Sequence, residues 1–238
     1  MTPPEARRFL LPALCVLGFI LFTALGVWQV ERRSWKLDLI ARVDERIHAP
    51  VVAPPDERLW AYATPQSFEY RHVVATGTFD HGKETLVDAL TERGPGWWVI
   101  TPLRTEAGTL LVNRGFVPKD RTAPKTRMSG QVEGTVTVEG LLRLSELGGR
   151  FLRPNRPFES RFYSRDVAAI ATARRIDHVA PYFIDVGSRP NPGRLPIGGL
   201  TVVKFRNAHL VYAATWFALA GLSLFGLALV RKGAQDRH

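Results

Sequence analysis

Two uncharged apolar runs bracket this chain and limit what it can become. Phe9 to Val30 holds 22 residues without a charge, and Leu210 to Val230 holds 21. Each exceeds the run of about 18 apolar residues that marks a membrane-spanning helix. At about 1.5 Å rise per residue, each reaches about 30 Å, the thickness of a bilayer's hydrocarbon core. The sequence therefore divides into a tail (1–8), a first transmembrane helix (9–30), a polar domain (31–209), a second transmembrane helix (210–230) and a tail (231–238). The polar domain is tethered twice to one membrane face. Its function must happen beside that face or inside the membrane.

Charge agrees with a membrane neighbour. The net charge is +10, from 32 Lys and Arg against 22 Asp and Glu. Many of the cations lie beside the spans: Arg7, Arg8, Arg32, Arg33, Lys36, Lys204, Arg206, Arg231 and Lys232. Such residues gain about 1 kcal/mol each near anionic lipid. They are scattered, and no groove-entering motif accompanies them, so nucleic acid is not the expected partner. The one cysteine, Cys15, lies within the first run. That excludes a disulfide framework and any site built on paired thiolates. The first run is also too long for the apolar core of a cleaved signal peptide, so it reads as an uncleaved anchor. Arg7, Arg8, Arg231 and Lys232 place both tails in the cytoplasm and the domain outside it. Arg32, Arg33 and Lys36 argue the other way, but long loops cross a membrane largely regardless of charge.

Periodicity organises the domain. Trp35, Leu39 and Val43 recur at helical spacing with Ile40 and Ile47, so the first helix is expected to run on to about Ile47. Pro50, Pro54 and Pro55 then end it. Strands are expected over Tyr70–Phe79, Glu84–Leu90, Trp97–Leu103, Thr109–Val117, Thr135–Leu144, Tyr182–Val186 and Leu200–Phe205, with Gly and Pro punctuating the turns. One helix, capped by Ser164, is expected over Arg165–Ile176. The expected fold is an α+β membrane protein. Two transmembrane helices flank a mainly antiparallel, β-rich, barrel-like extracytoplasmic domain with one helix. Closure would remove exposed strand edges.

Catalytic signatures are missing from the sequence: there is no nucleophile elbow, no zinc-helix motif and no phosphate loop. His48, His72, His81 and His178 are isolated, without ligand spacing. The chain is not expected to be an enzyme. Two places remain. Trp28-Gln29 with Trp35-Lys36 reads as an aromatic belt, yet an amide at the end of a span seeks a partner on a neighbouring helix. His209 opens the second span, and Tyr212, Ala213, Trp216 and Ala220 fall on its face. On one reading, rings and small residues there admit a planar macrocycle, His209 ligates its haem iron, and Arg206, Lys204 and Arg114 meet the propionates. On the other, His209 is an interfacial residue that caps the helix. Asn113-Arg114-Gly115 itself reads as a tight turn or bulge, with Gly115 supplying a positive φ.

Several blocks, in order, resemble the Surfeit locus protein family, assembly factors of cytochrome c oxidase. They run from Leu25-Gly26-Val27-Trp28-Gln29 with Arg32, Trp35-Lys36 and Leu39-Ile40, through Glu69-Tyr70-Arg71 and Gly77-Thr78-Phe79-Asp80. Thr101-Pro102-Leu103 and Leu111 to Pro118 follow, then Pro181 to Asp185, Pro196 to Gly199, and Asn207-Ala208-His209-Leu210 with Tyr212 and Thr215-Trp216. The resemblance implies two transmembrane helices around a periplasmic or intermembrane-space domain. It implies a role in building the haem a and copper centre of oxidase subunit I, together with other oxidase assembly factors. It makes His209 the candidate haem a ligand. Ala208 and Val211 depart from the polar residue and the Gln that the family often carries there. A long insertion of some mitochondrial members is absent, which favours a bacterial inner-membrane protein. A non-haem-binding membrane scaffold for subunit I remains the alternative, and a membrane-anchored periplasmic enzyme a third.

Overall fold

The computed structural model describes residues 3–150, 152–201 and 207–235. The chain forms two compact units, one holding residues up to Arg42 and from Lys204 onward, the other Val43–Val203. The elements are α1 (Pro3–His48), α2 (Glu57–Trp60), β1 (His72–Phe79), β2 (Thr85–Thr91), β3 (Gly94–Thr105) and β4 (Gly108–Pro118). They continue with β5 (Thr135–Leu144), β6 (Gly149–Arg150), β7 (Arg153–Pro154), α3 (Val167–Arg174), β8 (Val179–Val186) and α4 (His209–Gln235).

In the helical unit, α1 and α4 are both long and apolar enough to cross a membrane. They run antiparallel, since Phe22 stacks on Trp216 at 5.8 Å while Gly18 lies against Ser223. Small residues set the approach. A Cβ on Gly26 would stand 2.6 Å from the Phe217 ring, and Ala213 and Ala220 are buried. Close backbone approach through small residues is how helices associate where no water drives them together. Their other faces leave Phe9, Leu10, Leu17, Ile20, Leu222 and Phe225 exposed, an apolar surface suited to lipid.

In the second unit, six strands pair in the order β1-β5-β8-β4-β3-β2. β1 also meets β3, at Thr78↔Arg104 and Phe79↔Leu103, so five strands nearly close a ring and β2 lies outside it. Closure depends on Gly77, where a Cβ would stand 2.2 Å from the Arg104 carbonyl oxygen. Pairing is antiparallel except between β4 and β8. Phe68, Val73, Leu103, Val112, Leu142, Tyr182 and Ile184 form one core. The opposite face of the sheet packs Val87, Ile100, Leu111 and Phe183 against Val167 and Ile170 of α3. β4 is therefore covered on both faces, and Leu110 to Val117 is buried without a break.

Most expected elements stand within a residue or three of their expected ends. The first helix continues to His48, and Arg46 in its last turn donates to the carbonyls of Pro65, Gln66 and Glu69. The cap of α3 differs. Asp166, not Ser164, accepts from the Ala169 N–H, while Ser164 donates to the Glu146 carbonyl and accepts from Gly149 and Asn155. The last expected strand, Leu200–Phe205, falls largely outside the described residues.

Tyr182 joins the core to the chain after α1. Its hydroxyl donates to the Pro55 carbonyl at 2.6 Å, and burial pushes the phenol up to about 12. Tyr182→Phe removes that bond while Trp60 Nε1 still donates to the same carbonyl. The loss should be about 1 kcal/mol, read as a small fall in thermal midpoint with an unchanged circular dichroism spectrum.

Candidate functional site

The site singled out by sequence begins where α4 begins. The Val211 and Tyr212 N–H groups bond to the Ala208 carbonyl, which starts the helix and sets His209 in its first turn. Antiparallel packing brings the far end of the first apolar run alongside. His209 Nδ1 and Gln29 Oε1 are 2.8 Å apart. An amide oxygen only accepts, so this bond puts the proton on Nδ1. In the neutral ring that donates this bond, Nε2 carries the lone pair. A histidine whose other nitrogen is fixed by a hydrogen bond is the usual form of a metal-ligating imidazole. The donor chemistry of His209 thus fits a ligand to haem iron.

The remaining expected site residues divide. Trp216 is half-buried and stacked on Phe22, with ring planes 19° apart. Ala213 and Ala220, which share its face of α4, are buried. Trp28 and Tyr212 are exposed, one beside Gln29 in sequence and the other one helical turn beyond His209. Arg206 and Lys204 lie outside the described residues.

Arg114 belongs to the sheet unit, where it is 1 % exposed. Its guanidinium lies over the Phe79 ring and donates to the Gly130 carbonyl. Burial pushes it down to about 10, with Glu84 raising and Arg127 lowering it. A side chain so enclosed does not reach a headgroup layer. The sequence carried a signal for this, since the apolar residues on both sides of Asn113-Arg114 mark a strand buried on two faces.

Sequence reasoning missed a second constellation, buried in the sheet unit. Asp185, 2 % exposed, accepts from Asn113 at 2.7 Å, from Arg165 through both oxygens at 3.0 Å, from Arg143 at 3.3 Å and from Thr201 at 3.0 Å. Arg143 also donates to Glu69, and Arg165 to Glu146. Burial works against the charge of Arg165, but Asp185 and Glu146 outweigh it and hold the guanidinium above its ordinary range. Among the described residues, no group of three or more His, Cys, Asp and Glu stands close enough to hold a metal ion.

Residues 16–221 match the model of the SURF1 family. The chain is 38% identical to Surfeit locus protein 1 of Homo sapiens over 243 residues, covering 94% of this chain and 78% of that protein. It is 39% identical to Surfeit locus protein 1 of Gallus gallus over 222 residues, covering 84% of this chain and 69% of that protein. A SURF1-like protein of Monosiga brevicollis is 35% identical over 227 residues, with 90% and 84% covered. The chain belongs to the SURF1 family.

Proposed function

We propose that this SURF1-family chain is an assembly factor for haem–copper oxidase that holds haem a through His209 on its way to subunit I. The observation that carries the reading is the His209–Gln29 pair, 2.8 Å apart on two antiparallel apolar helices. Gln29 fixes the ring and leaves Nε2 as the ligand atom, while Trp28 and Tyr212 supply exposed aromatic surface. Haem a, when bound, would supply the iron and the macrocycle that the oxidase needs. The chain's own residues bind and orient it. The two helices span the membrane in this reading, with both tails cytoplasmic and the domain outside. A bacterial inner membrane follows from the missing insertion alone, since the relatives named above are eukaryotic. The domain is the surface that meets subunit I and other oxidase assembly factors.

Absorption spectra test this directly. The protein, purified in detergent from cells that make haem a, should carry a Soret band. His209→Ala should lose it. Gln29→Leu should retain the ligand but bind roughly 10–100-fold more weakly, as outer-sphere partners of metal-bound histidines usually do. A wild type without haem, or a fully loaded His209→Ala, overturns the mechanism. One observation favours a scaffold that never touches haem: Phe22 stacks on Trp216, and the Phe217 ring lies against Gly26, so aromatic groups on the two helices already pack on each other. In that case oxidase assembles normally with His209→Ala and fails when the domain is deleted.

A further inference from the structure

We infer that the loop between β5 and α3 is a membrane-contact element that binds anionic lipid headgroups. This loop holds apolar side chains out in water. Leu147 is 77 % exposed, Leu152 84 % and Phe158 fully so. Isolated exposed leucines are ordinary in soluble domains, but three large apolar groups this exposed within twelve residues of one loop call for a partner. Arg150, Arg153, Arg156 and Arg161 are interleaved with them, and all four are exposed. Among the described residues, the carboxylates paired with them are Asp88, 3.2 Å from Arg150, and Glu159, 3.4 Å from Arg156 and 3.7 Å from Arg161. Four cations against two anions leave a surplus of two positive charges.

The loop is also built to hold this shape. β6 and β7 pair with each other, and Asn155 Oδ1 accepts from the N–H groups of Tyr163 at 2.7 Å and Ser164 at 3.2 Å. Arg156 and Arg161 exchange backbone bonds at 2.8 and 3.1 Å, which closes the turn carrying Phe158 at its tip. Ser160 completes that turn at φ 52°. A hydrogen-bonded turn that presents an aromatic ring rimmed by arginines has the composition of an interfacial anchor, with apolar groups entering the headgroup layer and cations meeting phosphates. Charge complementarity selects an anionic lipid surface. The inference rests on the proposal that the two apolar helices cross a membrane, but not on haem binding.

A nitroxide at position 158 reads the contact. The full chain carrying Cys15→Ser and Phe158→Cys is spin-labelled and reconstituted into bilayers of phosphatidylcholine, with or without phosphatidylglycerol. Carbonate-resistant flotation with the vesicles first establishes that the helices are inserted, so failure of the spans is seen separately. With phosphatidylglycerol, the label should become accessible to oxygen and shielded from a water-soluble nickel complex. Arg153→Gln with Arg156→Gln should return it to water, as should 1 M salt, which shortens electrostatic reach from about 8 Å to about 3 Å. The same two substitutions without the label should leave the thermal midpoint nearly unchanged, since both side chains are exposed and the Arg156–Glu159 pair lies at the surface. A label equally exposed to nickel in both bilayers overturns the inference. So does a label shielded equally with and without phosphatidylglycerol. The first result would assign the patch to a protein partner instead.

Discussion

Gly115→Ala should lower the thermal midpoint of the sheet domain by roughly 10 °C, which corresponds to about 3–5 kcal/mol for a unit of this size. Gly115 sits at φ 125°, a conformation that side chains rarely adopt. A Cβ there would stand 2.2 Å from the Ile197 carbonyl oxygen, 2.3 Å from its carbon and 2.6 Å from the Gly198 nitrogen. These are backbone atoms, and no rotamer change relieves them. They belong to the bridge in which Phe116 and Ile197 exchange N–H to carbonyl bonds at 2.8 and 2.9 Å. Relief means breaking those two bonds, at about 1 kcal/mol each, on top of the backbone strain. Gly134→Ala separates the two contributions. Gly134 is also left-handed, at φ 77°, but a Cβ there meets nothing within 4 Å. It should cost only the strain, about 1 kcal/mol. Both variants are compared with wild type by circular dichroism melting of the full chain in detergent. Equal midpoints for the two would show that the clash at Ile197 is not what demands glycine.

The sequence was readable where one periodicity or one residue type decides the structure. β5 alternates, and its ends are those expected, Thr135 and Leu144. The helical stripe from Trp35 through Ile47 carried the first helix to His48. Gln29 was legible because an amide at the end of a span needs a partner, and His209 is that partner. Tertiary bonds hid the rest. Ser164 and Asp166 are both good helix caps, and only the demand of Glu146, Gly149 and Asn155 on the Ser164 hydroxyl leaves the cap to Asp166. The parallel pairing of β4 with β8 joins segments far apart in sequence, and no local pattern encodes it. Asn113-Arg114-Gly115, read as a turn or bulge within the strand expected over Thr109–Val117, stays in β4 with Gly115 at φ 125°, and what the local pattern did not reveal is how fully both faces of that strand are covered. The Pro181 to Asp185 block shows how one short motif serves two layers. Tyr182 and Ile184 enter one core, Phe183 enters the other, and Asp185 follows Phe183 onto the face where the arginines lie.

Asp185→Asn should therefore destabilise the sheet domain by about 3–5 kcal/mol, the usual result of removing one partner from a buried ion cluster. The substitution keeps the shape and removes the charge. Arg143 and Arg165 would then rely on Glu69 and Glu146 alone, and Arg165 would retain its place over the Phe183 ring at 4.8 Å. The new amide cannot accept through both oxygens from Arg165 while also accepting from Asn113 and Thr201, so at least one buried donor is stranded. Glu146→Gln should cost less, because its side chain is 39% exposed and water can replace part of what Arg165 loses. Burial raises the Glu146 carboxyl, yet the bonds from Arg165 prevail and hold it below its ordinary range. A depressed carboxyl contributes stability above its unfolded pKa and loses it as the pH falls through the folded one. The wild-type midpoint should thus drop on acidification below the ordinary carboxylate range, and less so in Glu146→Gln. Coupling is the sharper measurement. In a double-mutant cycle, Asp185→Asn and Arg143→Gln together should cost less than the sum of the two alone, by about 1 kcal/mol or more. Strict additivity would mean that Asp185 acts through Arg165, Asn113 and Thr201 only, and that its 3.3 Å contact with Arg143 carries no energy.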